Sequence, residues 1–378
     1  MIRASEAERR RLHDDFARLC AVASPSGGER ACAEVVGLEL GRLGLEVEED
    51  EAGDLTGGDC GNLLVRVPGR GREAMLLCTH LDTVPPTGPI VPVVVDGGWE
   101  NAGDGILGAD NKAAVAVALA LARRLAAEPG PLTLELLFTV SEEDALAGAK
   151  AFDASRLVSS FGYTFDHASP IGEIVTCSPT YYRLGAELRG QAAHAGIRPE
   201  AGRSAVLAAA RAVAAMRLGR LDAETTANIG VFEGGSAANV VPDRCRVVGE
   251  ARSGDPGKAE RTVTEMVERL GDAANTADCE CDLDVSVERL FDGYRTPRGS
   301  RQIRLAEGAL RDCGYEPRTI VTGGGSDANV LLAKGVACVN LANGTERNHQ
   351  PDERVSLAAL EGMLDVALAL VRRGAEAA

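Results

Sequence analysis

Residues 75–83 read Met75-Leu76-Leu77-Cys78-Thr79-His80-Leu81-Asp82-Thr83: a β-rich apolar run that stops at an imidazole and a carboxylate. The same arrangement recurs along the chain. A run at 132–140 is followed by Ser141-Glu142-Glu143, one at 162–165 by Asp166-His167, and one at 336–341, within several residues, by His349. Helical patterns at 111–127 and 356–373 alternate with these runs. Such alternation predicts an α/β fold with a mostly parallel sheet and flanking helices. Open parallel sheets form their sites outside the carboxyl ends of the strands, so four strand ends carry imidazole or carboxylate to one rim. Asp110, just before the helix 111–127, adds another carboxylate.

Between about 177 and 287 the rhythm changes to strand 181–189, helix 202–218, strands 226–233 and 244–251, helix 257–270 and strand 279–287. This β-α-β-β-α-β order predicts an inserted ferredoxin-like α+β lid domain. Turn-prone Ser178-Pro179 and Asp292-Gly293 mark the junctions. The expected organisation is a discontinuous catalytic domain, 1–176 and 290–378, and an insert, 177–289. Two domains agree with 378 residues at roughly 150 per domain. Residues 374–378 are expected to fray.

Composition excludes several classes of function. With 56 acidic and 40 basic residues, the formal net charge is −16, which repels phosphate backbones and anionic lipid headgroups. Neither nucleic acid nor membrane is an expected partner. The longest apolar stretch, 113–122, falls far short of the roughly 18 to 20 residues that span a bilayer. The first residues run into a charged cluster with no apolar h-region, which predicts a cytoplasmic location. Ten cysteines are scattered without a C-x-x-C pair. Cys279 and Cys281, two apart on an expected strand, read as small buried hydrophobes rather than metal ligands.

Taken singly, the rim residues have ordinary readings. Asp110 would cap a helix, Glu142 and Glu143 would be first-turn acids, and His349 would be a solvated loop histidine. Together they suit a divalent metal, whose nitrogen and oxygen ligands these are. Clustered acids without a cation repel and raise one another's pKa.

Thr79-His80-Leu81-Asp82-Thr83-Val84-Pro85, Gly108-Ala109-Asp110-Asn111-Lys112-Ala113 and Ser141-Glu142-Glu143 resemble, in order, the M20-type dinuclear zinc peptidases. This is the aminoacylase/carboxypeptidase G2 group, and the likeness is strongest to its peptidase T-like branch. It covers nearly the whole chain. Within the insert, Gly190-Gln191-Ala192-Ala193-His194-Ala195-Gly196 and Asn239-Val240-Val241-Pro242-Asp243 resemble the family's lid motifs.

The resemblance implies a zinc-exopeptidase-like catalytic domain in which Asp110 is shared by two divalent ions. His80 and Asp166 would complete one site, and Glu143 and His349 the other. Zinc suits these ligands best, and cobalt or manganese also fit. Two cations sharing a carboxylate would sit roughly 3.5–4 Å apart and hold a water between them. Asp82 is better placed behind the His80 ring than on a metal, although a turn-capping aspartate is the plain alternative. Adjacent glutamates diverge and cannot share one job. Glu143 is therefore assigned to metal and Glu142 to general base, taking the water's proton and delivering it to the leaving amine.

His194 would donate to the oxyanion, in its own subunit or across a homodimer formed through the insert. Asn239 and Arg252 would grip the substrate's terminal carboxylate or main chain, although a surface salt bridge also explains Arg252. In the turn Gly323-Gly324-Gly325-Ser326-Asp327, Gly325 and Ser326 would offer amides to an anionic group, and a glycine-rich turn with a cap is equally expected on structural grounds. Asp104 and Lys112 resemble family positions near the site but suggest no separate physical role. One position departs from the pattern: many relatives place glycine two residues after the glutamate pair, where Ala145 stands, and the change is read as one of specificity.

The expected activity is therefore a metal-dependent exopeptidase of the di/tripeptide class, an aminopeptidase that hydrolyses an amide near a free terminus of short peptides. The alternative is an N-acyl-amino-acid deacylase or desuccinylase acting on an acylated amino acid. A non-catalytic peptide-binding module is a lesser one, since neither base nor ligand is missing.

Overall fold

The computed structural model describes residues 3–376; Met1, Ile2, Ala377 and Ala378 lie outside the described residues. Two compact units form. Among the described residues, one comprises 3–176, Thr296–Ile320 and 326–376, the other Cys177–Arg295 and Val321–Gly325.

At the centre of the first unit, four parallel strands lie in the order Thr133–Thr139, Ala74–His80, Phe161–His167 and Ala337–Ala342. Antiparallel strands Leu63–Val67 and Glu173–Ser178 flank them. All seven residues of Ala74–His80 are buried. That explains the unbroken apolar runs, because a parallel strand covered on both faces has no solvent side to mark with polar residues. The helices Glu6–Cys20, Arg30–Gly41, Ala109–Ala127, Arg301–Asp312 and Leu357–Glu376 contribute to the same core. Ser5 and Glu8 form a capping box that starts the first of these helices. The last helix runs through 374–376, which are therefore helical rather than frayed; Ala377 and Ala378 are outside the described residues.

The helices are tied together by buried polar groups. Glu39 is 4% exposed and meets Arg11, Arg18, Arg42 and Arg123 at 2.7–3.1 Å. Lys112 is also buried, and its Nζ donates to the carbonyls of Leu19 at 3.2 Å and Val22 at 3.0 Å. This gives Lys112 the physical role its sequence position did not suggest: its buried ammonium ties down the chain where Glu6–Cys20 ends.

A small antiparallel sheet went unpredicted. It pairs Pro92–Val95 with Gly98–Asn101, Gly98–Asn101 with Arg354–Ser356, and Arg354–Ser356 with Thr345–Glu346. The segment 347–353 thus becomes the tip of a hairpin with an anchored stem.

The second unit is a five-stranded antiparallel sheet in the order Gly219–Arg220, Thr225–Gly234, Arg244–Ser253, Thr180–Arg189, Asp282–Phe291. Its helices Ala205–Ala215 and Pro256–Ala274 share a core with the sheet's apolar face. Ser204 and Asp255 start them by accepting from the amides of Leu207 and Lys258, both at 3.1 Å. Cys279 and Cys281 precede the strand, which begins at Asp282, so they are not the strand pair expected; both are nonetheless buried in this core. All ten cysteines are free. Among the described residues, no helix is long and apolar enough to cross a membrane.

Candidate metal centre

His80 ends its strand. Parallel pairing sets it against Thr139, so the neighbouring strand turns into Ser141-Glu142-Glu143 beside it. On the other side Cys78 pairs with Thr164, and two residues further along each strand His80 and Asp166 stand side by side. Asp110 and Asn111 have non-helical dihedrals within Ala109–Ala127, and the peptide bond between them is cis. His349, with φ 65°, sits in the hairpin tip between Thr345–Glu346 and Arg354–Ser356.

These elements bring the five expected ligands together. His80 Nε2 lies 3.4 Å from Asp166 Oδ1 and 3.4 Å from Asp110 Oδ1. The other oxygen of Asp110 lies 3.5 Å from His349 Nε2, which is itself 2.7 Å from Glu143 Oε1. Two donor groups result, each within 4.8 Å: His80 with Glu142 and Asp166, and Asp110 with Glu143 and His349. Behind His80, the Asp82 carbonyl oxygen is 2.9 Å from Nδ1. A carbonyl only accepts, so Nδ1 carries a proton, and Nε2 is the ring nitrogen that faces the two aspartates. The Asp82 carboxylate lies 3.4 Å from the same nitrogen, and its oxygens accept from the amides of Glu142 and Glu143, both at 3.0 Å.

The electrostatics are those of crowded acids around two imidazoles. Burial opposes a charge on His80, but Asp166, Asp110 and Asp82 outweigh it and raise its pKa well above the usual value. Pairing with Asp110 and Glu143 pushes His349 up to about 10. Burial lifts Asp166 to about 8 and Glu142 well above the carboxylate range, with repulsion from Asp166 adding to the latter. Burial would raise Asp110 too, yet His349 and His80 hold it below the usual range. His80 Nε2 and Asp110 Oδ1 are buried and face each other without forming a hydrogen bond. Nitrogen and carboxylate donors converging in this way fit divalent cations.

Residues 76–373 match the family described as Peptidase family M20/M25/M40. The chain belongs to this family. It is 36% identical over 371 residues to the uncharacterised protein YqjE of Bacillus subtilis strain 168, covering 97% of this chain and 99% of that one. The structure is similar to that of aminopeptidase PepT from Bacillus cereus, with a TM-score of 0.87, 37% identity and coverage of 97% and 99%. A tripeptidase from Staphylococcus aureus gives a TM-score of 0.92 at 32% identity, with the same coverage.

Other residues singled out in this M20 chain fall as follows. In the second unit, His194 is exposed and bridges to Val240, and its Nδ1 accepts from the Gly196 amide at 3.2 Å. Asn239 is exposed, and its carbonyl accepts from Ala195 at 2.9 Å. Arg252 forks onto Glu250 at 3.2 and 3.0 Å, and its guanidinium lies 3.9 Å from the centre of the Tyr181 ring. A Cβ at Gly325 would strike the Phe291 ring, a close approach that requires glycine. In the first unit Ser326 is buried ahead of the helix Asp327–Ala333, and its amide is already taken by Asn329 Oδ1 at 3.1 Å. Asp104 is exposed. Ala145 has φ 55°, a left-handed conformation that glycine adopts without steric cost. The alanine in the M20 pattern is thus first a backbone matter.

Two residues went unread in the sequence. Glu353 is 1% exposed and accepts from the amides of Leu107, Gly108 and Asp110 at 2.8–3.0 Å, holding the loop that carries Asp110. Asn348 donates to Asp110 Oδ2 at 2.7 Å. Both belong to the polar run around His349; their partners are distant in sequence, so only that adjacency could have signalled them.

Proposed function

We propose that the chain is a metal-dependent exopeptidase of the peptidase T-like kind, cleaving an amide near a free terminus of di- and tripeptides. The observation that carries this reading is Asp110, whose two oxygens face His80 at 3.4 Å and His349 at 3.5 Å and so suit a carboxylate shared by two cations. His80 and Asp166 would hold one ion and Glu143 and His349 the other. When bound, two divalent ions, zinc before cobalt or manganese, would supply Lewis acidity for the carbonyl and lower the pKa of the attacking water.

The chain's own groups supply the rest. Glu142 accepts the attacking water's proton on its carboxylate and returns it to the leaving amine nitrogen. Asp82 keeps the His80 ring oriented and holds the Glu142 and Glu143 amides. His194 donates to the developing oxyanion, while Asn239, Arg252 and Gly325 bind the peptide's main chain or terminal carboxylate; Ser326, buried with its amide held by Asn329, is left to cap its helix. For Arg252 this requires exchanging Glu250 for substrate. Similarity to an aminopeptidase and a tripeptidase supports the substrate class. Ten free thiols support a cytoplasmic setting. The ten-residue edge strand Asp282–Phe291 supports pairing of two copies through the second unit, to be checked by sedimentation.

The deciding experiment strips the protein of metal, restores it with each divalent ion in turn, and assays tripeptides, dipeptides, and N-acetyl and N-succinyl amino acids. Tripeptide cleavage that returns with metal is expected. Turnover confined to the acylated amino acids would instead make the chain a deacylase, and no turnover of any substrate by the reloaded protein would favour a binding module.

A further inference from the structure

Glu29 is a fully buried carboxylate outside the proposed ligand set, and it reaches the turn that carries the proposed base. Its Oε1 accepts from the Ser141 amide at 2.9 Å, the Ser141 hydroxyl at 3.2 Å and the Gly27 amide at 2.9 Å. Asp82 makes the reciprocal tie: it accepts from the Ser26 hydroxyl at 2.7 Å and from the amides of Glu142 and Glu143. Two carboxylates therefore lace the turn 26–29 to the turn 141–143. Ser141 needs such a hold, because its φ of 50° lies in the left-handed region that disfavours residues with a Cβ. The second oxygen, Oε2, is buried without a hydrogen-bond partner. An unpaired buried oxygen opposes stability, so the working contact of Glu29 is the one through Oε1.

We propose that Glu29 is a positioning residue: it fixes Ser141, and with it the direction in which Glu142 leaves the backbone. This rests on the reading of Glu142 as the base. A glutamine at 29 keeps an acceptor for all three donors, whereas alanine removes it.

The test measures kcat, KM and bound metal for Glu29→Ala, Glu29→Gln, Glu142→Gln and the double variant Glu29→Ala/Glu142→Gln, using the tripeptide substrate. Glu29→Ala is expected to lower kcat by about 10- to 100-fold, the scale of a misplaced catalytic group, with KM and the two bound ions retained. Glu29→Gln should restore most of the rate, and Glu29→Ala should add little to the loss in Glu142→Gln. In metal-free protein, the Ser141 amide should exchange hydrogen faster in Glu29→Ala than in Glu29→Gln. If Glu29→Ala does not fold, Glu29→Asp, which keeps the charge but shortens the reach, should show the same kcat loss. Full kcat in Glu29→Ala or Glu29→Asp, equal losses in the alanine and glutamine variants, or a loss that adds in full to that of Glu142→Gln would overturn the positioning role. Full turnover by Glu142→Gln would instead overturn the base assignment on which it stands.

Discussion

Glu142 and Glu143 are adjacent, yet Glu143 groups with Asp110 and His349 while Glu142 faces His80 and Asp166. Their glutamine variants should therefore fail differently. Glu142→Gln is expected to keep both ions and lose about 10²- to 10⁴-fold in kcat, the usual range for a general base. Glu143→Gln should lose metal first and regain part of its rate at high metal concentration. Metal analysis after dialysis, run beside the kinetics, separates the two. Ala145, three residues after Glu142, pays for its left-handed φ with steric strain. Ala145→Gly should leave the fold intact and be neutral or stabilising by up to about 1 kcal/mol, the relief partly offset by a more flexible unfolded chain; urea unfolding would measure it.

Among the elements, the hairpin Thr345–Glu346/Arg354–Ser356 has the most to do with the centre, because its tip carries Asn348, His349 and Glu353. Glu353 accepts from the amides of Leu107, Gly108 and Asp110, so Glu353→Ala should weaken metal affinity by about 10- to 100-fold with all proposed ligands still present; competition with a chromogenic chelator would read the change. Little of this was visible in the sequence. The four parallel strands were legible because burial on both faces leaves continuous apolar runs that end at polar residues. The strands of the small sheet have two to four residues, too few to display a period. The partners of Glu353 are backbone amides, which no residue letter records. Cys279 and Cys281 misled by their spacing: alternation of two fits a strand, yet both lie in the turn before it.

At the scale of the molecule, a net charge of −16 coexists with local clusters of the opposite balance, as at Glu39 with its four arginines. Burial opposes the charge on Glu39, yet Arg18 and Arg123 hold its pKa down at about 2, and Arg124 does the same for Glu8. Both carboxylates titrate lower in the fold than in the unfolded chain. Their contribution is complete above about pH 5 and is lost as the pH falls toward about 2. Thermal unfolding followed across that window should show Tm dropping, less steeply in Glu39→Gln, which starts from a lower Tm. Chelation at neutral pH should lower Tm as well, because ions that bind only the folded state stabilise it by mass action, about 2.7 kcal/mol at a hundredfold excess over Kd.

Asn348 touches Asp110 across 238 residues of chain, and His349 stands beside it. A ribosome must release nearly everything in between before the proposed ligand set can assemble. On the proposed reading the activity would appear only late in synthesis, and a nascent polypeptide truncated before the hairpin would be unable to cleave the short peptides around it.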